Sequence, residues 1–263
     1  MPQPHNRRLL AAAVCIVAAL ARPAIADDVP NIAAASDLQS ALPEVSAAFT
    51  AATGRKVELS FGSSGNFFRQ IQEGAPFQMF LSADEAYVEQ LASAGLTEGE
   101  GDLYAIGRIA IIVPRGSPLK PDGTLQDLAA ALAEGRVQKF AIANPDHAPY
   151  GRRAEEALRH AGIWEAIEDR LVLGENVSQA AQFATSGAAD GGIIAYSLAL
   201  SPNVAKLGES ALIPDAWHEP LRQRMVLLKG AAETARMFHD FVMSAPGRAI
   251  LNRCGFVLPG ESM

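Results

Sequence analysis

Asn31-Ile32-Ala33-Ala34-Ala35-Ser36-Asp37 and Val57-Glu58-Leu59-Ser60-Phe61-Gly62-Ser63-Ser64-Gly65 set the pattern that the rest of the chain repeats. Each half is a short strand-like run, apolar in the first case and alternating in the second, that passes directly into small polar residues. Between them Leu42, Val45, Phe49 and Ala52 fall on one helical face, and Gly54 ends that helix. Pro43 is tolerated there because a first-turn residue needs no intrahelical N–H. The same grammar returns at 140–151 and 171–177. Repeated βα units with short links argue for parallel sheets covered by helices on both faces.

Working outward, Phe67, Phe68 and Ile71 mark a helix that Gly74 closes, then come a buried strand at 77–81 and a helix at 85–94. A longer strand is expected over 106–113, halted by Pro114. Thr124 with Asp127 three residues on has the look of a capping box for a helix ending at Gly135. Strands at 139–143, 170–173 and 192–197 alternate with helices at 152–161 and 178–186, and helices at 231–244 and 247–253 close the chain. Pro114, Gly116, Pro118, Pro121 and Gly123 crowd together just after 113, the expected break between two lobes. A return crossing at 214–220 is expected to bring 222–229 beside 109–113. The lobes are then 27–115 with 216–263, and 116–215. Two crossings make a hinge, and a hinge makes a cleft.

The first 26 residues read as a cleaved signal peptide: Arg7 and Arg8, an apolar run over 9–21, and Ala24-Ile25-Ala26 as the small-x-small site. The run is short of the ~20 residues a membrane span needs. Export to the periplasm is expected, with cleavage after Ala26 leaving about 237 residues and Cys254 as the only cysteine. Loss of Arg7, Arg8 and Arg22 takes the formal charge from −7 to −10. So acidic a chain, with 6% aromatic residues, is a poor nucleic-acid binder. An anionic ligand has to be drawn in by local dipoles against the net field.

Most catalytic readings fail. Gly62-Ser63-Ser64-Gly65-Asn66 misses the Gly-x-Ser-x-Gly pattern, no phosphate loop or dinucleotide fingerprint is present, and His147, His160, His218 and His239 lack metal-site spacing. An exported hydrolase built on the serine loop needs a carboxylate oriented on His147 and a serine against it, and the sequence shows neither. What recurs instead is a strand running into a polar loop at a helix start: Ser36-Asp37, Gly62–Gly65, Asn144–Gly151 and Gly174–Val177. The first N–H groups of a helix have no intrahelical partner, and its dipole is positive at that end. Several such starts facing one cleft form an anion site from neutral groups. The plainer alternative is that Ser36 and Ser64 are simple N-caps. Asp37 either caps a helix, faces solvent, or accepts a proton from a protonated oxyanion.

At these residues the sequence resembles the periplasmic molybdate-binding proteins of ABC importers. The resemblance is carried by Ala33–Ser36, Phe61–Gly65, Ile71-Gln72-Glu73-Gly74-Ala75-Pro76, Leu81–Asp84, Asn144–Pro149 with Gly151, Glu175-Asn176-Val177 and Gly192–Tyr196, in that order. It implies a two-lobed α/β solute-binding fold of type II, each lobe a mixed sheet flanked by helices, closing over ligand in the interlobe cleft. Carried over by position, Ser36 and Ser64 each give a hydroxyl and an N–H to molybdate, Tyr150 and Val177 give N–H groups, and Tyr196 gives its phenol. Ser63 is the alternative to Ser64, and the ring of Tyr150 must point away or help cover the cleft. The resemblance further implies tungstate binding, no cofactor, no side chain on the metal itself, an inner-membrane ABC permease as partner, and a monomer. Sulfate or phosphate is the alternative oxyanion.

Overall fold

The computed structural model describes Met1 and residues 29–261, so the expected signal peptide lies almost wholly outside the described residues. The chain runs β1 (Asn31–Ala35), a turn of 3-10 helix at 36–39, α1 (Leu42–Thr53), β2 (Glu58–Gly62), α2 (Ser64–Gln72), β3 (Met79–Ser82) and α3 (Glu85–Ser93). Then follow β4 (Asp102–Gly107), β5 (Ile109–Pro114), α4 (Gln126–Ala133), β6 (Phe140–Ala143), α5 (Pro149–His160) and α6 (Trp164–Ile167). The remainder is β7 (Leu171–Gly174), α7 (Val177–Thr185), β8 (Gly192–Ala195), α8 (Tyr196–Ala199), α9 (Pro202–Ala205), β9 (Gly208–Leu212), β10 (Leu221–Leu227), α10 (Glu233–Met243) and α11 (Ala245–Arg253).

Two five-stranded sheets result, ordered β2-β1-β3-β10-β4 and β7-β6-β8-β5-β9. Both are mixed rather than parallel throughout. β1 pairs in parallel with β2 and β3, while β10 runs antiparallel between β3 and β4. In the second sheet β6 is parallel to β7 and β8, and β5 is antiparallel to β8 and β9. The single strand expected over 106–113 is broken at Arg108: β4 stays in the first sheet and β5 enters the second. Consequently 222–229 does not lie beside 109–113, whose edges are taken by β8 and β9. The chain changes sheet at Arg108, ahead of the break expected from the Pro/Gly cluster, and returns between Leu212 and Leu221.

Alternation along the first sheet sends side chains to two cores. Ile32, Ala34, Met79, Leu81 and Met225 join Phe49 and Phe238 under α1, α10 and α11. Ala33, Phe80 and Val226 join Phe67 and Leu91 under α2 and α3. The second lobe has one continuous core around Ile111, Phe140, Ile142, Ala180 and Ile194. One expected cap is replaced, and one strand was not anticipated. Thr124 does not cap α4: Asp122 does, accepting from the N–H groups of Thr124 at 3.0 Å and Gln126 at 2.9 Å, because its carboxylate spans donors that one hydroxyl cannot. β9 went unseen because Gly-Glu-Ser-Ala-Leu is a mostly exposed edge strand with no apolar face to detect.

Phe49 is fully buried and meets the edges of Phe238 at 5.3 Å and Phe241 at 5.7 Å between ring centres. Phe49→Ala is expected to lower the unfolding free energy by about 3–5 kcal/mol in urea denaturation. Phe68→Ala, at a partly exposed site, is expected to cost much less.

Candidate functional site

The carboxyl ends of four strands meet between the lobes. Ala35, Ser36 and Asp37 follow β1, Gly62, Ser63 and Ser64 follow β2, Ala148, Pro149 and Tyr150 follow β6, and Val177 follows β7. With Ala83 they line a small closed space, and no Lys or Arg is among them. That is the crevice where an open α/β sheet places ligands.

Three helix starts point their spare donors here. At α2, the Asn66 N–H is taken by Ser63 Oγ at 3.3 Å and the Gly65 N–H by the His147 carbonyl at 3.0 Å, leaving the Ser64 N–H. At α7, Asn176 Oδ1 accepts from the N–H groups of Ser178 and Gln179, both at 3.1 Å, leaving that of Val177. At α5, Pro149 has no N–H and the Ala148 carbonyl accepts from Gly151 and Arg152, leaving Tyr150. Each cap thus satisfies its neighbours and spares one donor beside the cavity. Ser64 Oγ accepts the Ala83 N–H at 3.0 Å, so its own proton remains to be donated, and Ser36 Oγ accepts the Ser178 N–H at 3.4 Å. Both serines line the cavity. Ser63 lines it too, but its hydroxyl is the α2 cap and lies 2.9 Å from His147 Nδ1.

Tyr196 is not brought to this cavity. β8 ends at Ala195, the Tyr196 N–H bonds the Arg108 carbonyl at 2.9 Å, and the ring packs near Gly255. Its neighbour Ser197 faces inward instead, donating to the Asp37 carbonyl at 2.8 Å.

The lobes are closed on each other. Besides the Gly65–His147 bond, Ser40 Oγ donates to the Ser197 carbonyl at 3.2 Å, Arg152 donates to the Tyr87 hydroxyl at 2.5 Å, and Asn66 bonds Glu175. Gly65 is required where it stands: a Cβ there meets the His147 carbonyl oxygen at 2.6 Å and wedges the lobes apart. Ser63, His147 and Glu175 are in sequence for a nucleophile, base and acid. Ser63 Oγ is committed to capping, however, and Glu175 is 60% exposed with its carboxylate 3.7 Å from His147 Nε2. The arrangement is a clasp between lobes.

Asp37 neither caps a helix for solvent nor faces it: the residue is 0% exposed. Its Oδ2 accepts from Gln223 Nε2 at 2.6 Å and from the Tyr150 hydroxyl at 3.0 Å, and Tyr104 donates to Gln223 Oε1 at 2.7 Å. This settles where the Tyr150 ring goes: it points away from the ligand space into a buried polar cluster shared by both lobes. Gly107 leaves the room, since a Cβ there collides with the Tyr150 hydroxyl. Sequence reading missed Tyr104 and Gln223, although Gln223 between Leu221 and Met225 on an inward strand face was a usable signal. Burial pushes the Asp37 carboxyl up from 3.8 to about 6, against the lowering pull of its bonds to Gln223 and Tyr150. Burial, and then the nearby Asp37, raise both Tyr150 and Tyr104, so they stay donors.

Because the folded Asp37 holds its proton more tightly than the unfolded chain does, its contribution favours folding below pH 4 and is lost as pH rises to about 6. About two pKa units correspond to about 3 kcal/mol. Asp37→Asn keeps an acceptor for Tyr150 and Gln223 and is expected to remove that share of the pH dependence, measured by urea denaturation of both proteins at pH 4 and pH 7.

The sequence pattern of bacterial extracellular solute-binding proteins matches residues 30–257. The chain is 35% identical to the molybdate-binding protein of Rhodobacter capsulatus, over 97% of this chain and 98% of that one. It is 32% identical to the molybdate-binding protein of Azotobacter vinelandii, over 87% and 89%. The solved structure of the Azotobacter vinelandii periplasmic molybdate-binding protein superposes with a TM-score of 0.77 at 30% identity, covering 88% of this chain and 99% of that chain. The sulfate-binding protein SubI of Mycobacterium tuberculosis, at 16% identity and a TM-score of 0.71, shares the fold alone. On this ground the chain belongs to the bacterial extracellular solute-binding protein family, whose members bind a solute and are not enzymes.

Proposed function

We propose that this protein captures molybdate, and tungstate of nearly the same size, in the interlobe cleft outside the cytoplasmic membrane and delivers it to an inner-membrane ABC permease. The observation that carries this reading is the set of spare donors: the N–H groups of Ser64, Tyr150 and Val177 with the hydroxyls of Ser36 and Ser64, and no cation among the lining residues. A fully ionised tetrahedral oxyanion needs only donors, which hydroxyls and amides supply. Each contributes more in a cleft from which closure expels water than it does in solution. The Rhodobacter capsulatus and Azotobacter vinelandii relatives are molybdate-binding proteins, and that supports this ligand over sulfate. Closure of the lobes by the His147 clasp and the Asp37–Tyr150 bond supports a capture-and-release cycle by hinge motion at Arg108 and 213–220. A monomer suffices for it, since both halves of the site come from one chain.

Thermal unfolding with molybdate, tungstate, sulfate and phosphate at one concentration tests the ligand. A ligand bound only by the folded state stabilises it by RT ln(1 + [L]/Kd), about 4 kcal/mol at a thousandfold excess. Upward shifts with molybdate and tungstate alone are expected, and a shift with sulfate or phosphate instead overturns the ligand but keeps the cleft. Donors to a charged group contribute roughly 1.5–3 kcal/mol. Ser64→Ala is therefore expected to weaken molybdate about ten- to a hundredfold in calorimetric titration. Tyr196→Phe is expected to leave affinity unchanged, because its phenol stands outside the cavity.

A further inference from the structure

The donor set leaves one residue of the cavity wall unexplained. Asp37 lines the cavity, its Oδ2 is occupied by two donors, and its Oδ1 is buried with no hydrogen-bond partner. A buried carboxylate oxygen without a donor is costly to keep, and beside an incoming anion it is worse.

We infer that Asp37 is a specificity-determining residue of the cleft, whose Oδ1 tolerates an oxyanion only with a proton between them. Capture of a fully ionised dianion then takes one proton from solvent onto Oδ1. The resulting O–H donates to a ligand oxygen while Oδ2 keeps its bonds to Tyr150 and Gln223. An oxyanion that carries its own proton, such as hydrogen phosphate, supplies that proton itself and needs none from solvent. The inference rests on the oxyanion reading above and adds a proton to it.

No cationic side chain neutralises Asp37; beyond its two side-chain donors, only its own backbone N–H and that of Leu38 favour the ionised carboxyl. Tyr150 on α5, Tyr104 on β4 and Gln223 on β10 are neutral donors or relays. Of the elements packed on the 36–39 turn, β1 and α7 carry no charged side chain, α8 brings Tyr196, Glu58 of β2 is exposed at the far end, and Glu44 of α1 pairs with Arg253. Arg222 and Arg224, on either side of Gln223, both turn to Glu85. On α5, Arg152 faces Asp84 and Tyr87, and Arg153 pairs with Glu156. His147 is bonded to Ser63, and Arg108 lies by His218. Burial lifts the carboxyl to about 6. A dianion beside it raises the value further. At pH 7.5 Asp37 is therefore ionised before capture and protonated after it.

Calorimetric titration of the mature protein with sodium molybdate at pH 7.5, in Hepes and in Tris, counts the protons through the different ionisation heats of the two buffers. Uptake approaching one proton per anion is expected. Affinity measured from pH 5 to 8.5 is expected to be flat below about pH 6 and to fall by up to tenfold per unit above it. Asp37→Asn presents an N–H donor in place of the protonated oxygen, so it is expected to bind with no proton uptake and a flat profile. Binding by the natural chain without uptake, or equal uptake by both proteins, overturns the inference and leaves the ligand reading standing. Should the variant not fold, a flat affinity profile for the natural chain overturns it equally. No binding of molybdate in any buffer overturns the ligand reading and the inference together.

Discussion

The first turn of every α-helix carries N–H groups that its own carbonyls cannot reach, and this protein is arranged around that deficit. Strands of both sheets end beneath helix starts, so the deficit of α2, α5 and α7 falls on one cleft. Local caps then meet most of it. Ser63 and the His147 carbonyl serve α2, Asn176 serves α7, and the Ala148 carbonyl serves α5. One N–H per helix is left, and each belongs to a residue of the cavity wall. The caps therefore do two things: they hold the helices against fraying, and they set how many donors remain for a ligand.

Neutral donors suit a chain whose net charge is −7. Fixed dipoles attract an anion at short range without a Lys or Arg that would need its own counter-charge once the lobes close. The same closure buries Asp37, and its burial is tolerated because Gln223 and Tyr150 reach one of its oxygens. Tyr150 belongs to the second lobe and Gln223 to the first, so the bond network that makes the carboxyl tolerable also spans the cleft. His147 does the like on the other side through Ser63 and Gly65.

The βα grammar of the chain was legible because strand-to-loop-to-helix passages are local events. Ala33–Ser36, Phe61–Gly65 and the Asn144 loop announce themselves in a few residues each, and the cavity is built from them. What was not legible depends on which strand meets which. The run 106–113 is uniformly strand-like, and nothing within it marks Arg108 as the point where the backbone leaves one sheet for the other. β10 finds its place between β3 and β4 through contacts more than a hundred residues apart in sequence. Asp37 read as a surface or capping residue because its partners, Tyr150 and Gln223, are equally remote. Tyr196 was carried into the site by position alone, and a turn beginning one residue after β8 takes its ring elsewhere.

Whether neutral donors from both lobes surround the ligand is decided by a crystal structure of the mature protein with molybdate. Density for the metal is expected between the Ser36 and Ser64 hydroxyls and the N–H groups of Ser64, Tyr150 and Val177, with every oxygen in hydrogen-bond reach of such a donor and no Lys or Arg in contact. Density elsewhere, or an oxyanion held by a cationic side chain, would overturn the neutral-donor site.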